Sequence, residues 1–329
     1  MPDQERAHVY VIAEAGINHG GDMDVAARMV RVAKEAGADA VKFQSFSADS
    51  LAHAGLARDQ YDFFKRYELS IEEHASLAKL CREQRIDFLS TPFDFRMVDL
   101  LVELGASAIK IASSDLTFLP LIEYAAAKGK PMFISTGMGN LDEARAACDT
   151  ARRAGAPRVV LLQCTTNYPT AYPDVNLRAM LALREHVRCE VGFSDHSIGN
   201  FACFGAVALG AAVIEKHFCL DKSQPGPDIP GSADLGQLKD LVLGIRSLEA
   251  ALGTGVKQMR DSEKEVAAIA RRSIFYTADL PAGHVLNPSS FTFLRPGTGL
   301  SPAAVGSLLG KTLKRDVQAG EMAEPSDVE

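Results

Sequence analysis

A (β/α)8 barrel followed by a small, mostly β module is the architecture this sequence predicts, and three observations predict it. Eight short apolar runs alternate with helix-like segments; nearly every run stops abruptly at polar or charged side chains; after residue 258 the pattern gives way to short β-like runs broken by Pro and Gly. Alternation of this kind implies a parallel sheet. Eight units in about 250 residues have the count and length of a closed barrel. A doubly wound open sheet is the alternative, but no GxGxxG turn follows the first run. The boundaries that follow are a barrel over residues 1–258, a charged, helix-like connector, MRDSEKEVAAIAR, over 259–271, and the module over 272–329.

The runs justify themselves in order. HVYVIA is β-branched and ends at Glu14, before the Gly-rich loop AGINHGG. MDVAARMVRVAKEAGA then has apolar positions at helical spacing and stops at a glycine. DAVKFQ presents Lys42 and Gln44, and a long polar and aromatic segment follows. In SIEEHASLAKLCREQ, Ser70 and Glu73 fit a capping box at the start of a helix. RIDFLST ends at Ser90 and Thr91; SAIKIAS presents Lys110 and Ser113, with Asp115 just beyond; PMFISTG ends at Ser135. RVVLLQCTT ends at Cys164, Thr165 and Thr166, EVGF runs into Ser194, Asp195 and His196, and AVI runs into Glu215, Lys216 and His217. The last module holds few large apolar residues for its size, so it is expected to lean on the barrel or on a second chain.

Composition narrows the function classes. The 329 residues are 47% hydrophobic and 23% charged, an ordinary soluble profile. A net charge of −7 argues against nucleic acid as a partner, although a local basic pocket remains compatible with it. The N-terminus MPDQERAHVY lacks the apolar core of a signal peptide, and the longest apolar stretch, from Ala202 to Ile214, is too short to span a membrane. Six cysteines without CxxC spacing read as reduced thiols of a cytoplasmic protein.

Active sites of such barrels sit at the C-terminal ends of the strands. Lys42 and Lys110, with hydroxyls from Thr91, Ser113, Ser135 and Ser194, suit a phosphate- and carboxylate-bearing ligand. The structural alternative for the lysines is salt bridging to Glu14 or Asp115. His196 and His217, at the ends of neighbouring runs, could share a divalent metal with open positions, of the Mn, Fe or Zn kind; the alternative is two hydrogen-bonded core histidines. Such an ion polarises a carbonyl. Glu14 and Asp115 are candidates for proton transfer to water. The turn SQPGPD offers Asp228 to a sugar hydroxyl, or is simply a rigid turn.

The motifs AEAGINHGG, VKFQ, STPFD, KIASSDL, FISTGM, CTTNYPT, GFSDHSIG, IEKHF and PGPD occur in that order. As a set they resemble the sialic acid synthase family, which comprises N-acetylneuraminate, legionaminate and pseudaminate synthases. The tail segment FLRPGTGLSP is similar to that family's C-terminal antifreeze-like (SAF) module. The resemblance implies a manganese-dependent condensation of phosphoenolpyruvate with an open-chain amino sugar of the N-acetylmannosamine kind. It implies His196 and His217 as metal ligands. Lys42, Thr91, Lys110, Ser113, Ser135 and Ser194 would hold phosphoenolpyruvate, and Glu14, Gln44, Thr166, Tyr168 and Asp228 would lie around the sugar. Glu14, Asp115 and Lys110 are the catalytic candidates. Arg295 would reach the sugar from the module of a partner subunit, which implies a domain-swapped homodimer. Asp115, Thr166 and Gln224 stand where N-acetylneuraminate synthases usually carry Glu, Asn and Arg, which leaves the acceptor open. A synthase using a different aldose and a non-catalytic sugar-binding homologue are the competing readings.

Overall fold

The structure, a computed structural model, describes residues 8–329. Residues 1–7, on which the expectation of no signal peptide largely rests, lie outside the described residues. The chain divides into two compact units, Met1–Gly253 and Thr254–Glu329. Residues 254–271, assigned from sequence partly to the barrel and partly to a connector, thus cluster with the second unit. Each unit is built around a separate core.

The first unit is a parallel barrel. Its strands are β1 (Tyr10–Gly16), β2 (Ala40–Ser45), β3 (Asp87–Pro92), β4 (Ile109–Ile111), β5 (Met132–Ser135), β6 (Val159–Cys164), β7 (Glu190–Asp195) and β8 (Val213–His217). They hydrogen-bond in the order β3-β2-β1-β8-β7-β6-β5-β4, and β3 and β4 lie side by side without a ladder between them, so the sheet is nearly closed. A helix follows each strand: Met23–Glu35, Ile71–Gln84, Phe95–Glu103, Leu119–Ala126, Leu141–Arg153, Arg178–Val187, Phe201–Ala208 and Leu235–Leu252.

Strand alternation sorts the side chains into two layers. One set, including Ile12, Ala40, Leu89, Ala108, Phe133, Val160, Leu162 and Val213, packs together inside the barrel. The alternate set, including Val11, Val41, Ile109, Ile134, Leu161 and Ile214, packs outward under the helices in a much larger cluster. The apolar inner set fills only the lower part of the barrel. Two residues further along each strand, the same face carries Glu14, Lys42, Thr91, Lys110, Ser135, Ser194 and Glu215. The polar strand ends are therefore a continuation of the inward face rather than frayed termini.

Local signals read from sequence recur in the structure. Ser70 and Glu73 form the expected reciprocal cap: Glu73 N–H donates to Ser70 Oγ at 3.2 Å, and Ser70 N–H donates to the Glu73 carboxylate at 2.7 Å. The polar and aromatic stretch after β2 contains two helices, Ala48–Leu51 and Arg58–Tyr67, which periodicity did not reveal. The longer one buries no residue fully; its aromatic side, with Tyr61, Phe63, Phe64 and Tyr67, is half-buried, and Phe64 packs edge-on against Phe46. All six cysteines are buried free thiols. Among the described residues, no helix is long and apolar enough to cross a membrane.

In the second unit, β9 (Ser273–Tyr276) and β10 (Phe291–Leu294) pair antiparallel. A helix at Lys264–Ala270, isolated bridges and short 3-10 turns complete it, with a core around Ile274, Tyr276, Leu286, Phe291, Leu313 and Val317. Arg315 pairs with Glu321 and Asp327 across its last turns.

Candidate active site

Two lysines and two glutamates meet inside the barrel, all nearly inaccessible to solvent. Lys42 Nζ lies 2.8 Å from Glu14 Oε2 and donates to Thr91 Oγ1 at 2.9 Å. Lys110 Nζ donates to Ser135 Oγ at 2.6 Å and to the Ile111 carbonyl at 3.0 Å. Glu215 stands between the lysines, with one carboxylate oxygen 3.7 Å from Lys42 Nζ and the other 3.7 Å from Lys110 Nζ. Ser194 Oγ donates to Glu215 Oε1 at 2.8 Å, which fixes the carboxylate plane.

The charges respond to burial and to one another. Burial works against the Lys42 charge, but Glu14 and Glu215 outweigh it and hold the ammonium above the usual lysine range. Burial wins at Lys110 and pulls it below that range, with Glu215 the largest opposing influence. Burial also pushes Glu14 above the ordinary carboxylate range, while Lys42 pulls against it. At Glu215, burial is outweighed by Lys110 and Lys42, so the carboxylate is held low. The cluster thus contains one firmly ionised carboxylate, Glu215, and one proton-exchanging carboxylate, Glu14.

Beside this cluster sits an imidazole pair. The His196 and His217 rings are 5.3 Å apart, and the Tyr168 ring lies 4.0 Å from His196. His196 Nδ1 is 2.8 Å from the Thr165 carbonyl, which selects the tautomer with a proton on Nδ1 and leaves Nε2 as a lone pair. His217 Nδ1 is buried without a hydrogen-bond partner, 3.6 Å from Asp228 Oδ2. Burial drives His217 well below the usual histidine range, so the ring is neutral and able to coordinate. Gly16 makes the close approach possible: its φ is +53°, and a Cβ there would stand 3.1 Å from the His217 ring and 3.4 Å from Asp228. Among the described residues no group of three or more His, Cys, Asp and Glu side chains is spaced to enclose a metal. Two imidazoles side by side, His217 with an orphaned buried nitrogen, fit a divalent ion that keeps positions open for water and substrate oxygen.

A third group lies at the ends of β4, β5 and β6. Gly137 N–H donates to Ser113 Oγ at 3.0 Å, and a Cβ on Gly137 would fall 2.3 Å from Thr166 Oγ1. Only a glycine fits between those hydroxyls. Asp115, just past Ser113, has one carboxylate oxygen buried without a partner; burial raises it to about 6, with Lys110 pulling back. Gln44 is half-buried on the same face of β2 as Lys42.

The structure therefore gathers Glu14, Lys42, Thr91, Lys110, Ser135 and Ser194 into one hydrogen-bonded and ion-paired cluster. It sets Tyr168, His196, His217 and Asp228 together next to one another, and Ser113 with Thr166. Asp115 touches neither lysine, so it is no salt-bridge partner for them. Arg295 lies exposed at the end of β10 in the second unit. Sequence reasoning missed Glu215 as a site residue. Its signal was present: Glu215 and His217 are two apart on β8 and must share a face. Lys216, between them, points the other way and pairs with Asp195 at 2.7 Å in the wall outside the barrel.

Comparison with known proteins agrees with this geometry. Residues 29–257 match the NeuB family, and residues 271–329 match the SAF domain. An N,N'-diacetyllegionaminic acid synthase of Legionella pneumophila is 42% identical over 327 residues, covering 94% of this chain and 92% of that protein. A pseudaminic acid synthase of Campylobacter jejuni is 34% identical, covering 97% and 96%. The crystal structure of an N-acetylneuraminic acid synthetase from Leptospira borgpetersenii superposes with a TM-score of 0.75 at 34% identity, over 79% of this chain and 90% of that one. On the full-length match, the shared barrel and the C-terminal module, the chain belongs to the NeuB family and carries a SAF domain.

Proposed function

We propose that the chain condenses phosphoenolpyruvate with an open-chain N-acetylated amino sugar, giving a nine-carbon 2-keto sugar acid and phosphate. The observation that carries this reading is the buried Lys42–Glu215–Lys110 arrangement beside the His196–His217 pair. Two ammonium groups whose charge is partly unspent suit an anionic donor. Lys42, Lys110, Thr91, Ser113, Ser135 and Ser194 hold its carboxylate and phosphate. His196 and His217 would hold Mn²⁺ or another divalent cation, which would supply polarisation of the acceptor's aldehyde. Glu14, Gln44, Thr166, Tyr168 and Asp228 orient the sugar. A carbon–carbon bond forms between the donor's methylene carbon and the aldehyde carbon. Water adds at the donor's second carbon, and the carbon–oxygen bond to phosphate breaks. Glu14 and Asp115, whose proton affinity burial raises toward neutrality, are the groups able to take the proton of that water.

The relative named N,N'-diacetyllegionaminic acid synthase favours an acceptor carrying two acetamido groups over N-acetylmannosamine. The test is phosphate release from phosphoenolpyruvate across a sugar panel, with and without Mn²⁺. Release should require both sugar and metal, and should vanish in His196→Ala and His217→Ala. Turnover that survives exhaustive chelation would remove the metal role. A bound sugar with no phosphate release under any condition would favour a non-catalytic sugar-binding homologue. The free, buried thiols favour action in the reducing cytoplasm.

The same reading makes the chain a domain-swapped homodimer in which Arg295 completes the acceptor site of the partner. Mixing Arg295→Ala with Lys110→Ala protein should restore activity on subunit exchange, because one site of each heterodimer then carries neither lesion. Exchange without recovery would exclude the swap.

A further inference from the structure

A well-formed concavity of the barrel unit lies away from the strand ends that carry the chemistry. It is a cavity of about 670 Å³ at the opposite end, where β6, β7 and β8 begin. That volume is in the range of small-molecule sites. Its lining carries four guanidiniums, from Arg152, Arg158, Arg184 and Arg188, against a single carboxylate, Glu190. The chain as a whole has a net charge of −7, so the concentration of positive charge is local.

Basic side chains at this end of a barrel have an ordinary use, because the helix C-termini point here and favour cations. That use accounts for part of the set. Arg152 donates to the Val187 and Arg188 carbonyls at 3.4 and 2.8 Å, and Arg184 donates to the Leu209 carbonyl at 3.2 Å. These bonds engage one edge of each fork and fix its position, leaving further N–H groups free. Arg158 is matched by Glu190, with Nε 3.0 Å from one carboxylate oxygen. Arg188 is different: its side chain makes no hydrogen bond or ion pair among the described residues, and its backbone is left-handed at φ 55°. Arg188 is the C-cap of the helix Arg178–Val187, which accounts for its left-handed backbone but not for its unpaired guanidinium. Gly210 lines the cavity beneath Arg184, where a Cβ would come within 2.8 Å of the guanidinium.

We infer that this cavity is a second ligand site, for a small molecule bearing two or more adjacent anionic groups, of the diphosphate or tricarboxylate kind. Arg152 and Arg184 are prepositioned forks, Arg188 is the free cation, and Glu190 sets the edge of the site by holding Arg158. Planar forks held in place bind such groups with little loss of freedom.

The probes are inorganic pyrophosphate and citrate, titrated calorimetrically into full-length protein without metal. Lys110→Ala protein is used throughout, so that binding among the barrel-mouth lysines is weakened. Saturable, salt-sensitive binding of either probe is expected, and Arg188→Gln should weaken it by about tenfold, the loss of one charge-assisted contact. Arg184→Gln/Arg188→Gln should weaken it further. Arg188 has no structural partner to lose, so the single variant keeps the test valid if the double variant melts early. Binding of neither probe, or binding unchanged in Arg188→Gln, would overturn the site. So would a signal that disappears when Lys42→Ala is added, because all of it would then belong to the barrel mouth.

Discussion

Replacing Glu215 by Gln keeps the size of the side chain and an acceptor for Ser194, but deletes the one charge shared by two buried lysines. Each lysine nitrogen lies 3.7 Å from that carboxylate. At an effective dielectric of about 20 each contact is worth roughly 4.5 kcal/mol before desolvation is counted. Both lysines are already out of water, so removing their partner leaves charge uncompensated, and the expected net cost is about 3 kcal/mol. For a unit of this size that lowers Tm by about 6–12 °C. The loss has a pH signature. Burial already holds Lys110 below the usual lysine range, and Glu215 is its largest support. Without it, the folded state binds the Lys110 proton more weakly still, while the unfolded chain does not change. Between those two pKa values the unfolded chain holds more protons, so stability rises with pH. The gap between variant and parent should be widest at and below neutrality and narrow toward the ordinary lysine range. Phosphoenolpyruvate, the proposed donor, brings its own negative charge and should narrow the gap too. Thermal melts from pH 6 to 10, with and without phosphoenolpyruvate, check both. A destabilisation independent of pH and unmoved by the donor would mean that Glu215 acts by packing alone.

Three further outcomes follow from the geometry. Gly16→Ala must hold a left-handed backbone, at about 1–2 kcal/mol, and push on the His217 ring; metal affinity, read by calorimetry, should fall at least tenfold while phosphoenolpyruvate binding changes little, and equal metal affinity would refute the close-approach argument. Gly137→Ala should do the reverse, displacing Thr166 and Ser113 and weakening donor binding with the metal site intact; a donor titration identical to the parent's would count against it. His19 is buried, accepts from Gly21 N–H at 3.0 Å, and is lowered by burial to about 4. Its protonation is therefore deferred in the folded state, and its stability contribution, of order 3 kcal/mol, is complete above about pH 6.5 and lost as pH falls toward 4; His19→Gln should flatten the acid limb of denaturant-derived stability, and an unchanged slope would show that His19 does not titrate there.

The barrel was legible because its signals are local. Each strand is a short apolar run with a sharp polar end, and each helix has its own periodicity or cap. The inward residues were legible for the same reason: Lys42, Thr91, Lys110 and Ser135 sit one alternation beyond an apolar core residue, and Ser194 one beyond Gly192. What one chain position cannot show is which inward residues meet across the barrel. Glu215 reaches two lysines from β8, 105 residues after Lys110 in sequence, and its role is a property of closure. The helix at Arg58–Tyr67 was not legible because it is short, heavily charged and only half-buried on its aromatic side. The glycines at 16 and 137 carried no signal beyond being glycines, since what they make room for comes from distant strands.

The Asp195–Lys216 pair bears on how the barrel reaches a single alignment. On β8, Glu215, Lys216 and His217 alternate inside, outside, inside, and on β7 Ser194 and Asp195 do the same, with Ser194 level with Glu215 and Asp195 level with Lys216. Two ion-paired systems of opposite facing therefore interlock through two adjacent residues. A slip of one residue along β8 would carry Lys216 into the lumen and Glu215 and His217 beneath the helices. Every one of those groups would then be buried without its partner, and Asp195 would be stranded as well. Misaligned closures are thus penalised twice, once on each surface of the wall, and the alignment that survives is the one that assembles the lysines with their carboxylate.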